Sequence, residues 1–216
     1  MKTFNKTLIA AATLTTFGLA AAPAAVALDA SASIATSYLW RGTELGQGNA
    51  ALAVDLSGST GAISYGLWVS SGDGSDGITA GTDENGDPDG TYSSNDGSTE
   101  YDIYASYGGS VGEIGYSIGY ASYNYPTAGV GFDDNAEYIY GLSYGPASVT
   151  VYDAKDGDYE YTVVGYEAGA FSFAYGDDES TTHFDVSYAV NDSLTLTVSE
   201  PEDADTIVAA SYALPF

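Results

Sequence analysis

The chain ends in Thr206-Ile207-Val208-Ala209-Ala210-Ser211-Tyr212-Ala213-Leu214-Pro215-Phe216 (TIVAASYALPF). Counted back from Phe216, every second residue is apolar or aromatic: Leu214, Tyr212, Ala210 and Val208. Between them stand Pro215, Ala213, Ser211 and Ala209, which are small or polar. A two-residue period belongs to a strand with two unlike faces. The large face suits hydrocarbon and the small face a crowded lumen. The last strand of a soluble sheet would alternate in the same way, so the rest of the chain must choose.

Upstream, the same period recurs in segments of roughly ten residues bounded by turn residues. The predicted strands are 31–41, 49–56, 62–71, 99–107, 113–125, 136–144, 147–152, 159–167, 170–175, 182–190, 193–199 and 206–216. Large rows such as Tyr101, Ile103, Ala105, Tyr107 and Tyr138, Tyr140, Leu142, Tyr144 place tyrosine at both ends of one face, as two interfacial aromatic girdles require. The opposite rows are mostly small and polar, for example Gly115, Ser117, Gly119 and Thr195, Thr197, Ser199. In the segment 159–167, Val163 and Val164 fit either face. Ten residues at about 3.3 Å each, tilted by about 40°, rise about 25 Å, the height of a bilayer's apolar band. The expected fold is all-β: an antiparallel up-and-down transmembrane β-barrel of about twelve strands.

The connections alternate in kind. Loops at 42–48, 72–98, 126–135, 153–158, 176–181 and 200–205 alternate with tight turns at Ser57–Gly61, Gly108–Gly112, Gly145–Pro146, Ala168–Gly169 and Asn191–Asp192. In a meander, alternate connections lie at opposite ends of the sheet. The loops hold twenty of the 30 acids, whereas the turn regions hold only Glu113, Glu167 and Asp192. A soluble sandwich has no reason to collect charge at one end; a barrel with short periplasmic turns and long outward loops does.

The N-terminus fits export. Lys2 and Lys6 precede an apolar run from Leu8 to Ala22 and a small-residue Ala25-Val26-Ala27 site, the pattern of a secretory signal peptide over residues 1–27. The barrel domain would then occupy residues 28–216. Only Arg41 and Lys155 remain basic against 30 acids, a balance that excludes nucleic acid as a partner. There is no cysteine, hence no disulfide framework.

On the expected lumen rows lie Asp55, Glu100, Asp102, Glu160, His183 and Asp185, with Arg41 near the first loop. Read functionally, these carboxylates line an aqueous path and favour cations; read structurally, Arg41 pairs with a neighbouring carboxylate inside the lumen. His183, Asp185 and Ser187 share one face of one strand without identifiable oxyanion donors, so no enzyme is expected. The loop residues Asp83, Asn85, Asp87 and Asp89 could hold Ca²⁺ or Mg²⁺ loosely, since such cations take oxygen ligands. Pro88 stands where an EF-hand needs glycine. No other cofactor is expected. A twelve-strand barrel has a backbone radius of roughly 12 Å, leaving a narrow passage or room for the 72–98 loop to fold inside.

Several stretches carry a family resemblance. Ser37-Tyr38-Leu39-Trp40-Arg41-Gly42 resembles the opening motif of the TorF-type porin family, proteobacterial outer-membrane β-barrels. Glu100–Tyr107, Gly112–Tyr120 and Glu137–Pro146 are similar to that family's later tyrosine and glycine strands, so the likeness covers about Ser33 to Pro146. The segment 72–98 is longer and more acidic than the family pattern. Likewise, a strand closing on an aromatic carboxylate resembles the final strand of such barrels, where it implies recognition of Phe216 by the barrel-assembly machinery. The resemblance implies a bacterial outer-membrane address, contact with lipid and lipopolysaccharide, and diffusion of small solutes or cations. Two alternatives remain: a closed structural or surface-interaction barrel with acidic cation-binding loops, and a soluble exported β-protein with an apolar interior.

Overall fold

The computed structural model describes residues 27–73, 79–82, 88–93, 98–126 and 129–215. Among them sixteen strands follow in chain order. They are β1 (Ala27–Ala35), β2 (Tyr38–Trp40), β3 (Thr43–Leu45), β4 (Ala51–Thr60), β5 (Ile63–Asp73), β6 (Thr79–Thr82), β7 (Pro88–Ser93) and β8 (Ser98–Val111). Then come β9 (Ile114–Asn124), β10 (Ala136–Tyr144), β11 (Ala147–Ala154), β12 (Glu160–Ala168), β13 (Phe171–Asp177), β14 (Thr182–Ala189), β15 (Leu194–Pro201) and β16 (Ile207–Leu214). Twelve of these close into one antiparallel barrel, in which each strand pairs with its neighbours in the chain and β1 pairs with β16. The pairs β2–β3 and β6–β7 are separate two-stranded ribbons. The first barrel strand begins, and the last one finishes, towards the short-turn end, because Ala27 lies opposite Ser59 and Ala32 opposite Leu214.

The expected barrel is thus the observed one, and its strands run a few residues further into the turns than the sequence pattern suggests. Val111 pairs with Ile114 across the Gly112–Glu113 turn, and Thr60 with Ile63 across Gly61–Ala62. The first strand differs more. It stops at Ala35 rather than Arg41, and Tyr38–Leu45 turns into the barrel as the β2–β3 hairpin. Tyr38 and Leu39 are both buried. A hairpin inside a lumen meets wall on both sides, so alternation cannot distinguish it from a wall strand.

The outer face is the large one. Leu56, Ile118, Leu142, Val164, Tyr166 and Val208 are all at least half exposed, and register partners across the sheet share their side. Val164 faces out and Val163 packs inward beside Tyr161. Tyr107, Tyr144, Tyr166 and Tyr188 stand towards the turn end, and Tyr101, Tyr120, Tyr138 and Tyr175 towards the loop end. These are two belts around an apolar band, as a barrel surrounded by lipid requires.

Inside, the two halves differ. Towards the turns the inner row is Ser57, Ser64, Gly66, Ser117, Gly141, Ser148, Gly165 and Thr197. Towards the loops it is aromatic: Ala121, Tyr123, Ile139, Tyr152 and Tyr161 pack together with Trp40, Tyr104, Tyr125 and Val163. The small, polar lumen expected from the sequence therefore holds for one half only.

Candidate functional site: a hairpin held across the lumen

The β2–β3 hairpin turns on Arg41 and Gly42, with φ of 46° and 77°. Positive φ at both central residues is the pattern of a type I′ turn, whose twist matches the flanking strands. Glycine adopts it freely; a residue with a Cβ gives up about 1–2 kcal/mol, so Arg41 must recover that cost from its contacts. Gly42 also has no room for a side chain, since a Cβ there would lie 2.5 Å from Cβ of His183 on β14. Gly42→Ala is expected to lift the hairpin tip off β14. Tryptophan fluorescence should report it as a red shift and faster quenching by acrylamide, with the barrel still closed on a heat-shift gel.

Arg41 is the anchor. Its Nη1 donates to Glu137 Oε1 at 2.8 Å and its Nη2 to Glu137 Oε2 at 2.6 Å, a bidentate pair in which both side chains are only 7% exposed. Charge-assisted forks of this kind are the strong hydrogen bonds of proteins. Tyr123 donates to Glu137 Oε2 at 2.7 Å, and Arg41 Nη1 reaches the Tyr159 hydroxyl at 3.2 Å. The guanidinium carbon lies 4.5 Å from the ring centre of Trp40, 4.6 Å from Tyr152, 4.5 Å from Tyr161 and 5.7 Å from Tyr159. Each ring face attracts a cation, more so where water is excluded.

The rest of the hairpin is tied along the same wall. Tyr38 donates to Glu100 Oε2 at 2.6 Å and Tyr125 to Glu100 Oε1 at 2.8 Å. The Tyr38 ring lies 5.9 Å from that of Trp68 on β5, and the Trp40 ring 5.6 Å from that of Tyr123 on β9. Ser37 donates to Glu44 Oε1 at 2.6 Å. With Gly42 against β14, one hairpin thus touches β5, β8, β9, β10, β11, β12 and β14.

A second chain of contacts runs beside the tip. His183 Nδ1 lies 3.0 Å from Asp185 Oδ1, and His183 Nε2 lies 2.9 Å from the Tyr161 hydroxyl. With the carboxylate accepting from Nδ1–H, Nε2 is the ring atom that accepts a hydrogen bond from the Tyr161 hydroxyl. Ser187 lies further along the strand, 2.9 Å from Thr197 Oγ1, and does not meet the imidazole. Gly176 fits this cluster because a Cβ there would come within 2.1 Å of His183 Nε2.

The residues singled out in the sequence are placed as follows. Arg41, Glu100, Asp102 and Asp185 converge on the loop half of the interior, all four with buried side chains. Asp55 is on the inner row lower down, where it accepts from Tyr104 at 2.7 Å. Glu160 is the exception: it pairs with Asp153, which pairs with outward-facing Tyr138, and it is exposed. The doubt between Val163 and Val164 hid that parity. Asp83, Asn85 and Asp87 lie outside the described residues; Asp89 falls on β7, and its side chain is also outside them. Phe216 is likewise outside them, as are residues 1–26. Among the described residues no cluster of three metal-ligating side chains occurs.

Sequence reading missed Glu137. The signal was present: Glu137 shares its row with Ile139, Gly141 and Ser143, so alternation alone puts a charge in the lumen that needs a partner. The partnership between residue 41 and residue 137 carries no local mark.

Beside the hairpin a cleft of about 640 Å³ remains, lined by Gly42, Thr43, Glu44, Asp203, Asp205 and Ile207 among others. At the rim Lys155 Nζ lies 2.7 Å from Asp133 and 3.2 Å from Asp156. The hydrogen bonds from Lys155 and Tyr120 hold the Asp133 carboxyl below its usual range, and Asp133 in turn raises the lysine. The two basic residues outside the expected leader are therefore both engaged with carboxylates.

No protein-family model and no curated protein matches this sequence, so the TorF-type resemblance stands on its motifs. Among solved structures the chain is similar to a KdgM porin in complex with disordered oligogalacturonate, at 11% identity and a TM-score of 0.45, covering 88% of this chain and 99% of that one. A mutant of Rh. blastica porin is 16% identical with a TM-score of 0.36, and 76% of this chain spans about half, 55%, of that one. The Salmonella typhi outer membrane phospholipase dimer with bound calcium is 8% identical with a TM-score of 0.42, covering 92% and 93%. Likenesses at this level say nothing of substrate, and the functional reading rests on the geometry of this chain.

Proposed function

We propose that this chain is a narrow channel of a bacterial outer membrane, passing small solutes by diffusion without catalysis and preferring cations. The observation that carries this reading is a closed barrel, apolar outside, whose interior is small and polar in the turn half and narrowed in the loop half by a hairpin packed on aromatic side chains. Export through a cleaved leader over residues 1–27, and recognition of Phe216 during assembly, belong to the same reading. Cation preference is supported by Asp55 on the inner wall and by Glu44, Asp203 and Asp205 at the cleft. Water-filled constrictions ringed by carboxylates select cations.

Planar-bilayer recording of the folded chain tests this. Discrete steps should appear, with a reversal potential favouring potassium over chloride in a salt gradient. Replacing residues 37–48 by a short Gly-Ser link should raise the step several-fold. The reach of the hairpin across the lumen favours a second reading, a closed barrel whose acidic rim meets lipopolysaccharide through Ca²⁺ or Mg²⁺. Silent bilayers from correctly folded protein, with and without the hairpin, would establish that reading instead.

A further inference from the structure

Arg41 stands in surroundings that would suit a free ligand as well as a tethered one. The barrel wall alone supplies a planar carboxylate acceptor, Glu137, whose two oxygens receive the two Nη donors. It supplies Tyr123 to hold that carboxylate and three rings, Tyr152, Tyr159 and Tyr161, within 5.7 Å of the cation. A carboxylate fork combined with aromatic faces is the acceptor and charge pattern that recognises a guanidinium or an alkylammonium group. We propose that Tyr123, Glu137, Tyr152, Tyr159 and Tyr161 form a binding site for guanidinium-bearing organic cations, and that Arg41 is its resident, tethered occupant.

Three features favour this over a purely structural pair. First, Arg41 is the tip of a hairpin that forms a two-stranded sheet of its own and is held at φ 46°, so its residence in the site works against a local backbone preference. Second, the cage is not sealed: Tyr159, at the loop end of β12, is 41% exposed, so one side of the site faces the outer mouth. Third, the fork and the rings sit on β9–β12 and the Tyr159 segment, while the cation comes from the far-off β2–β3 hairpin, so the two can part without breaking any barrel strand pairing. A solute that binds the cage competes with Arg41, and the state with Arg41 displaced gains population in proportion to that competition. The hairpin then loses its bidentate anchor on occupation of the site. This names the solute class for the channel reading and rests on that reading only for the solute's route. Binding itself does not require conduction.

The test uses the full mature chain, folded in detergent, with Trp68→Phe so that Trp40, one of two tryptophans, is the sole reporter. In that background Arg41→Gly vacates the cage while keeping a residue that tolerates positive φ. Methylguanidinium chloride, titrated against equal sodium chloride, should then give a saturable change in Trp40 emission at a concentration at least tenfold lower than in the protein retaining Arg41. Adding Glu137→Gln should abolish it, and tetramethylammonium, which cannot donate to the fork, should bind at least tenfold more weakly. Should Arg41→Gly fail to show a heat-shifted, folded barrel, Arg41→Lys serves, since an ammonium gives up one arm of the fork; its midpoint should fall below that of the protein retaining Arg41. A flat titration, an equal midpoint in the protein retaining Arg41, or a response that survives Glu137→Gln overturns the proposal. Silent bilayers alongside a positive titration would remove the channel and leave the site.

Discussion

Glu137→Ala should undock the whole hairpin. Removing one partner of a buried ion pair costs about 3–5 kcal/mol because the other charge is left without compensation. Here the Arg41 side chain has an escape that most buried charges lack: its backbone is a turn between two short strands that pair with each other and not with the barrel sheet. The loss should therefore appear as departure of residues 37–45 from the lumen wall, not as global unfolding. Tyr123 loses its acceptor at the same time, and the face of Trp40 that met Arg41 opens. Acrylamide quenching of tryptophan should rise severalfold, and the step conductance with it, while the heat-shift gel stays that of a folded barrel. Glu137→Gln should show a smaller effect, since the amide still accepts from one Nη and from Tyr123. Unchanged quenching in Glu137→Ala would mean that the Tyr38–Glu100 contact and the Gly42–His183 packing hold the hairpin by themselves.

Leu142→Arg should destabilise the barrel in membranes by about 2–4 kcal/mol, the cost of a cation near the bilayer midplane on a lipid-facing strand. Leu142 is 55% exposed and lies on the outer row between Tyr138 and Tyr144, roughly midway between the two aromatic belts. Ser64→Arg, one row inward on β5, provides the contrast. That side chain would meet the small, polar half of the lumen, so a change of less than about 1 kcal/mol is expected at a site bathed by water. Reversible denaturant titrations in phospholipid bilayers compare the two. Equal costs, or a larger one for Ser64→Arg, would reverse the assignment of inside and outside.

Much of the barrel was legible because a two-residue period is a local property. Rows such as Tyr138, Tyr140, Leu142, Tyr144 declare their face within seven residues, and the end-to-end sorting of acids declares which connections share a rim. Phe171–Asp177 and Leu194–Pro201 appear where the alternation places them. What the period could not show is whether an alternating segment is wall or contents. Ser31–Arg41 reads as one strand, yet Thr36 leaves the wall and Tyr38–Trp40 becomes cargo. Only the pair Arg41-Gly42 hinted at this, as a glycine able to take positive φ at a hairpin turn. The site depends on contacts between residues 41 and 137, 38 and 100, and 161 and 183, and no local pattern encodes such separations. Charge counting came nearest, since a lone lumen cation must find a carboxylate, but it could not say which one.

The closing pair β1–β16 has a consequence of its own. Among the described residues it has four register partners, Ala32–Ala35 against Ser211–Leu214, whereas β1–β4 has nine and β8–β9 eleven. Thr36 adds a clasp at the loop end, its N–H donating to Ala210 O and its Oγ1 accepting from Ala210 N–H. This seam joins the first strand of the barrel to the final one with the shortest described ladder in the cylinder. The hairpin springs from the residue just past that clasp. Force on Ser37–Leu45 therefore reaches the wall first at this seam, through Thr36.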